Sequence, residues 1–249
     1  MPKGSIDSQD VDRYLSEKEP EFRLRQAHGK VPSAEEKASF YYEYAQLLVA
    51  VGRQTLALPH FSTYLKMMDH VKEDAYWSPY YCSVRGQYAS VLDYLGQSDA
   101  ASEAYEAVMA INPNGLYIGD YAVFMHRKKK SYDKAEELYK KALDLFPFQS
   151  SIHLKYAGFL RHVRRNIAEA EKYYIKAVEV NPKNGDALGN YASFLHGVYN
   201  KIDEAEGYYV KAIEVDDTNT NNLCNYGESL LYLRGIIGLI YTKYTIYTI

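Results

Sequence analysis

Apolar residues along this chain recur at the spacing of a single helix face, and that face itself recurs about every 35 residues. In KAEELYKKALDLFP, which starts at Lys134, the residues Ala135, Leu138, Tyr139, Ala142 and Leu145 fall at i, i+3, i+4, i+7 and i+10. EAEKYYIKAVEVNP from Glu169 repeats the pattern with Ala170, Tyr173, Tyr174, Ala177 and Val180. EAEGYYVKAIEVDD from Glu204 repeats it with Ala205, Tyr208, Tyr209, Ala212 and Val215, and AASEAYEAVMAINP from Ala100 is an earlier copy carrying Ala101 and Tyr105. Such spacing is one stripe of an amphipathic helix, whereas a strand would alternate with period two.

A second apolar segment precedes each of these, YASVL from Tyr88, YAVFM from Tyr121, YAGFL from Tyr156 and YASFL from Tyr191, with an earlier copy, YAQLL from Tyr44, and a last one, YGESL from Tyr226. Each unit is therefore a pair of helices. Alanines at 122, 157 and 192 in the first helices, and at 135, 170 and 205 in the second, let helices approach closely. Tyr139, Tyr174 and Tyr209 fill the space between layers with a hydroxyl left over for water or a partner. Pro113, Pro147 and Pro182 end one pair and begin the next. The units start near residues 38, 82, 115, 150 and 185, with a last first helix near 220. This predicts a polar, partly helical or disordered extension over 1–36, a repeat domain over 37–235 and an atypical apolar tail over 236–249.

A tyrosine-small pair in the first helix, then a small residue, an aromatic, an alanine and a proline in the second, resembles the tetratricopeptide repeat, whose period is about 34 residues. The resemblance implies an all-α, right-handed superhelical solenoid of antiparallel helix pairs. The tyrosine-alanine-x-phenylalanine flavour is also similar to the half-a-TPR repeat of RNA-processing factors, although this chain has Ala-Glu and Lys-Ala where that family carries an Ala-Arg-x-x-Tyr-Glu-Arg run. Three departures stand out. The third to fifth units carry one extra residue between their helices, in HRKKKSY, RHVRRNI and HGVYNKI. The first two units are about ten residues further apart than the others, a gap that HVKEDAYWSPYYCSVRG fills with longer flanking helices. Pro59 is expected in the first turn of its helix, where proline is tolerated. The tail, IIGLIYTKYTIYTI, favours strands and is readable either as a poorly ordered end or as a docking segment.

Composition narrows the function. The 249 residues are 47% hydrophobic and 24% charged, enough apolar material for a sizeable core. The net charge of -3 argues against generic phosphate-backbone binding and hence against nucleic acid as the main partner. Two distant cysteines imply no disulfide framework, and the N-terminus has no apolar signal-peptide core; both fit the cytoplasm, or the nucleus. No run of about 18 apolar residues predicts a membrane span. No glycine-rich phosphate loop, His-Glu-x-x-His motif or nucleophile elbow is present, so neither catalysis nor a cofactor or metal is expected. The Glu-Ala-Glu pairs at 169/171 and 204/206 are i, i+2 and point apart on a helix.

The resemblance implies that first helices line a concave groove for a peptide segment of another protein. By repeat position that face carries Val123 and His126, then Lys155 and Arg161, then Asn190, Ser193 and His196, then Asn225 and Glu228. Small residues at 119, 158, 189 and 193 would leave room for a ligand, and Asn190 and Asn225 could clamp its backbone. Each is equally readable as a solvated polar residue. The lysine-asparagine-asparagine-lysine-arginine carboxylate clamp of chaperone-tail-binding relatives is not matched, because its first pair falls on Gly119 and Val123 or on Leu154 and Gly158. Basic residues gather at two turns, Arg127, Lys128, Lys129 and Lys130, and Arg161, Arg164 and Arg165, expected to form one rim facing an acidic protein surface, RNA or anionic lipid. The oligomeric state is not legible.

Overall fold

The computed structural model describes residues 33–74 and 78–231. Among these residues the regular structure is entirely helical. The polar extension expected over 1–36 lies almost wholly outside the described residues, and the apolar tail over 236–249 lies wholly outside them. The chain falls into two compact units, Met1–Leu138 and Tyr139–Ile249.

In the N-terminal unit, α1 (Ala34–Ala50) opens on a capping box: Ser33 Oγ accepts from the Glu36 N–H at 3.2 Å and Glu36 Oε2 accepts from the Ser33 N–H at 2.9 Å. Such a cap is worth about 1 kcal/mol. Gly52 then reverses the chain at φ +76° into α2 (Gln54–Met67). Pro59 is not in the first turn of α2, as expected, but in the second, because the glycine turn lets the helix begin as early as Gln54. Thr63 Oγ1 donates to the Pro59 carbonyl at 2.8 Å. A 3-10 turn at Asp69–Val71 leads towards α3 (Ser78–Tyr94), whose 17 residues take up much of the longer spacing between the first two repeats. Gly96, again at φ +76°, joins α3 to α4 (Ser98–Ile111), which is followed by α5 (Ile118–Arg127) and the first half of α6 (Tyr132–Leu145).

The C-terminal unit takes up α6 from Tyr139 and continues with α7 (Ser150–Phe159), α8 (Ile167–Val180), α9 (Gly185–Tyr199), α10 (Ile202–Val215) and α11 (residues 220–231). A π-helical turn, Leu160–Arg164, ends α7. The extra residue of the later repeats has a defined form. After α1 and α3 the chain closes on a left-handed glycine, and the Arg53 and Gln97 N–H groups reach carbonyls five residues back, on Leu48 and Leu92. After α5, α7 and α9 the left-handed residue is Lys130, Arg165 or Asn200, and the next N–H reaches six residues back: Ser131 to Met125, Asn166 to Leu160, Lys201 to Leu195. The insertion is thus a widened version of the same helix-ending closure.

Packing follows the alanine and tyrosine stripes. Ala101, Ala135, Ala142, Ala170, Ala177, Ala205 and Ala212 are all fully buried, and Tyr105, Tyr139, Tyr174 and Tyr209 are at most 3% exposed. Tyr139 packs its ring against Tyr156 and Phe159, each at 5.4 Å, and Tyr209 packs against Tyr226 at 5.6 Å. Tyr156 meets Tyr173 edge-on at 4.7 Å, and Tyr191 meets Tyr208 the same way at 4.9 Å. α7 and α9 are therefore each held on both sides by tyrosines of second helices, Tyr139 and Tyr173 for α7, Tyr174 and Tyr208 for α9. Such ring pairs add roughly 0.5–1.5 kcal/mol each beyond the area they bury.

Polar locks hold the starts of the first helices in the C-terminal unit. Buried Ser150 donates from Oγ to the Ala177 carbonyl at 2.7 Å and accepts from Asn184 Nδ2 at 2.8 Å, while Asn184 Oδ1 caps α9 at the Ala187 N–H. One repeat on, Asn219 Oδ1 accepts from the Asn222 N–H, and Asn222 Nδ2 donates to the Gly185 carbonyl at 3.0 Å. His153 stands where other repeats have Ile118 and Leu188. Its Nε2 lies 2.8 Å from the Pro147 carbonyl, and its ring stacks on Tyr173.

Candidate functional site

In the C-terminal unit the residues expected to bind a partner lie along α7, α9 and α11. Lys155, Arg161, Ser193, His196 and Asn225 are half-buried, whereas Asn190 and Glu228 are exposed. Asn190 Nδ2 donates to the Asp186 carbonyl of its own helix at 2.8 Å, which fixes the amide and leaves Oδ1 without an acceptor role among the described residues.

The tyrosines between layers form the floor of this face. Ser193 lies within hydrogen-bonding reach of the Tyr209 hydroxyl, and Arg161 reaches the Tyr174 hydroxyl. Burial pushes both phenols up, and the serine and the guanidinium respectively draw them back. Arg161 also lies over the Phe194 ring at 5.6 Å. Two of the expected side chains are thus held from beneath by buried rings.

The small residues behave differently from one another. A Cβ added at Gly158 would meet nothing within 4 Å, so the face is open there. A Cβ at Gly189 would fall 1.9 Å from Asn222 Oδ1. The room expected for a ligand at Gly189 is therefore occupied by Asn222 of the next first helix. Gly86 in the N-terminal unit does the same service for Tyr117, whose Cβ would lie 2.5 Å from an added methyl. Both glycines sit two residues before the tyrosine of YAxxL-type segments, and both filling side chains sit four before the next such tyrosine. The sequence holds this signal only as a pairing between neighbouring repeats, so reading each repeat alone misses it.

In the N-terminal unit, Val123 and His126 are half-buried on α5. Burial lowers the His126 pKa, with Arg127 and Lys130 adding to the shift and the Ala122 carbonyl opposing it. The same unit contains polar contacts the sequence reading missed. The Tyr42 hydroxyl accepts from Gln46 Nε2 at 2.7 Å and from Gln87 Nε2 at 2.9 Å, tying α1 to α3, and Ser90 lies within hydrogen-bonding reach of Tyr105.

The two basic turns lie in different units. Lys128 Nζ is 3.7 Å from Asp93 Oδ1, and Lys129 Nζ is 4.0 Å from Asp99 Oδ1 and 5.8 Å above the Phe124 ring. At the end of α7, Arg164 lies 5.5 Å above the Phe159 ring and Arg165 is exposed. The Glu-Ala-Glu pairs do point apart. Glu169 pairs with Lys172 and Glu204 with Lys201, while Glu171 accepts from the Tyr199 hydroxyl and Glu206 from the Tyr226 hydroxyl, both at 2.8 Å. The second glutamate of each pair thus fastens the following first helix.

A repeated helix pair with a buried alanine-tyrosine-alanine stripe invites comparison with known families. The family model of the tetratricopeptide repeat matches residues 83–114, 125–149 and 165–184. The chain carries tetratricopeptide repeats. Solved structures agree on the fold of these repeats. A thermophilic tetratricopeptide protein of Thermus thermophilus superimposes with a TM-score of 0.64 at 18% identity, over 78% of this chain and 99% of that one. PilF of Pseudomonas aeruginosa gives 0.60 at 16% identity, over 82% of this chain and 87% of its own. PilW, a widely conserved type IV pilus biogenesis factor, gives 0.59 at 14% identity, over 79% and 86%. No curated protein matches the chain in sequence. Among the described residues no group of three His, Cys, Asp or Glu side chains could hold a metal ion, and no helix is long and apolar enough to cross a membrane.

Proposed function

We propose that the protein is a binding scaffold that takes an extended peptide segment of another protein along the first-helix face of its C-terminal unit, over Lys155, Gly158, Arg161, Asn190, Ser193, His196 and Asn225. Val123 and His126 extend the same role to the first-helix face of the N-terminal unit. The observation that carries this reading is Gly158. A glycine inside a helix costs about 1 kcal/mol relative to alanine. Nothing packs where its side chain would be. A missing side chain with no packing reason, between Lys155 and Arg161, suits close approach of a ligand's backbone. Asn190 and Asn225 occupy the repeat position of Lys155 on the next two first helices, and the Asn190 Oδ1 and the Asn225 amide can pair with a peptide bond. The helix pairs supply a rigid support, and side chains held from beneath lose little freedom when they bind.

A peptide library displayed on phage, selected on the full chain, tests this. The selected peptides should bind the wild-type protein and lose at least about tenfold in affinity, roughly 1.4 kcal/mol, on Gly158→Trp. The Cβ position is open, so the helix should still form and far-UV circular dichroism should be unchanged. Peptides that bind wild type and Gly158→Trp equally well, or a library that yields none, would sink the reading.

A further inference from the structure

The cations of the two basic turns differ in what already occupies them. In the N-terminal unit Lys128 and Lys129 each face an aspartate, Asp93 and Asp99. In the C-terminal unit, neither Arg161, His162 nor Arg165 forms an ion pair with a carboxylate among the described residues. Glu228 shares with Arg161 only the neighbourhood of the Tyr209 hydroxyl. His162 is surrounded by its own sign: burial lowers its pKa first, and then the Arg161 and Arg165 guanidinium groups lower it further. Arg165 also holds a left-handed backbone, φ +57°, at the place where the next repeat has Asn200. For a residue with a long side chain that conformation costs about 1 kcal/mol or more, and asparagine is better suited to it.

Helix stability alone does not explain this cluster. Cations in a last turn do favour the helix dipole, and Arg161 and Arg164 serve that end. Arg165 lies past the helix, in the closing residue, and His162 is driven towards its neutral form, which adds nothing to the dipole. The cluster sits on the widened π-turn Leu160–Arg164, a deformation often found at binding sites.

We propose that the turn ending α7, through Arg161, His162 and Arg165, docks an oxyanion-bearing segment of a polypeptide, either a run of acidic side chains or a phosphorylated residue. Guanidinium forks pair with carboxylate and phosphate oxygens alike, and the imidazole adds a third donor. Single-stranded nucleic acid fits less well. Of the rings near the turn, Phe159 and Phe194 are at most 1% exposed and lie beneath Arg164 and Arg161, and the exposed Tyr199 carries Lys201 over its ring at 5.7 Å, so they leave little face for a base to stack on. The site shares Arg161 with the peptide face, but His162 and Arg165 lie outside that face, so an anion can dock at the turn with the rest of the face empty.

The test is fluorescence anisotropy on the full chain at low salt with three probes: a labelled decaglutamate peptide, a Gly/Ser peptide carrying phosphoserine, and an oligouridylate of equal charge. Arg165→Asn copies the residue of the next repeat, so the turn should close as before and only the charge is lost. It is expected to weaken the better-bound of the two peptides at least about fivefold, with no fall in melting temperature. The control Lys183→Asn, an exposed lysine elsewhere in the same unit, should stay within about twofold. An anion beside His162 should draw a proton on to it. Binding should therefore tighten as the pH falls through and below the ordinary histidine value of 6.5, and His162→Asn should abolish that dependence. Of the two peptides, the one bound more tightly identifies the anion. Failure of both to bind, an unchanged affinity in Arg165→Asn, an equal loss in Lys183→Asn, or preference for the oligouridylate would each overturn the proposal. Gly158→Trp is expected to leave the acidic probes bound. Loss there with Arg165→Asn unaffected would assign them to the helix face and overturn it as well.

Discussion

Replacing Gly189 with alanine tests how neighbouring repeats lock together. The added methyl would lie 1.9 Å from Asn222 Oδ1, 2.6 Å from its Cγ and 3.1 Å from its Nδ2. Asn222 is only 2% exposed and donates to the Gly185 carbonyl, so it cannot turn away without leaving a buried amide unpaired. An unpaired buried polar group costs about 1–3 kcal/mol, and overpacking costs a similar amount. Alanine's better helix propensity returns about 1 kcal/mol. The net should be a destabilisation of about 2 kcal/mol. Gly158→Ala carries the same propensity gain with no neighbour to displace, so it should stabilise by about 1 kcal/mol. Urea denaturation followed by circular dichroism reads both as shifts of midpoint at constant slope. Removing the obstacle with Asn222→Ala should make Gly189→Ala nearly harmless in that background, a coupling visible in a double-mutant cycle. If Gly189→Ala stabilises the protein as Gly158→Ala does, the interlock is wrong.

Other consequences follow from single groups. Asn200→Ala, at φ +53°, should lower stability by about 1 kcal/mol, and Lys130→Asn, at φ +56°, should raise it by roughly half as much, both read from denaturant midpoints. Ser150→Ala removes the bonds to Ala177 and Asn184 and should cost about 2 kcal/mol in the same assay. Burial pushes Tyr64 and Tyr191 up to about 12 from an ordinary 10.0, so their stabilisation is complete below pH 10 and is lost as the pH rises from 10 towards 12. Tyr64→Phe and Tyr191→Phe should therefore remove tyrosinate absorbance at 295 nm only from the part of the rise that accompanies loss of the helical signal, and a loss from the earlier part would contradict the burial.

The helix pairs were legible because their information is local. Ala170, Tyr174 and Ala177 lie on one turn-to-turn stripe, and the same stripe recurs at Ala205, Tyr209 and Ala212. Pro59 was misplaced because a proline preference cannot say how sharply a left-handed Gly52 reverses the chain before it. The filling of Gly189 by Asn222 was hidden for a different reason. It joins residues 33 positions apart whose only sequence sign is that one is small where the other is not. The roles of Lys128 and Lys129 were equally hidden, since their partners Asp93 and Asp99 lie a repeat away. Periodicity reveals which residues are equivalent, but the neighbour that fills or neutralises a position comes from the packing.

Hydrogen exchange of the full chain, with and without a library-selected peptide, tests the binding face most directly. Added peptide should slow exchange in α7, α9 and α11, around Lys155 to Arg161, Asn190 to His196 and Asn225. Slowing confined to the second helices α8 and α10, with the first helices unchanged, would contradict it.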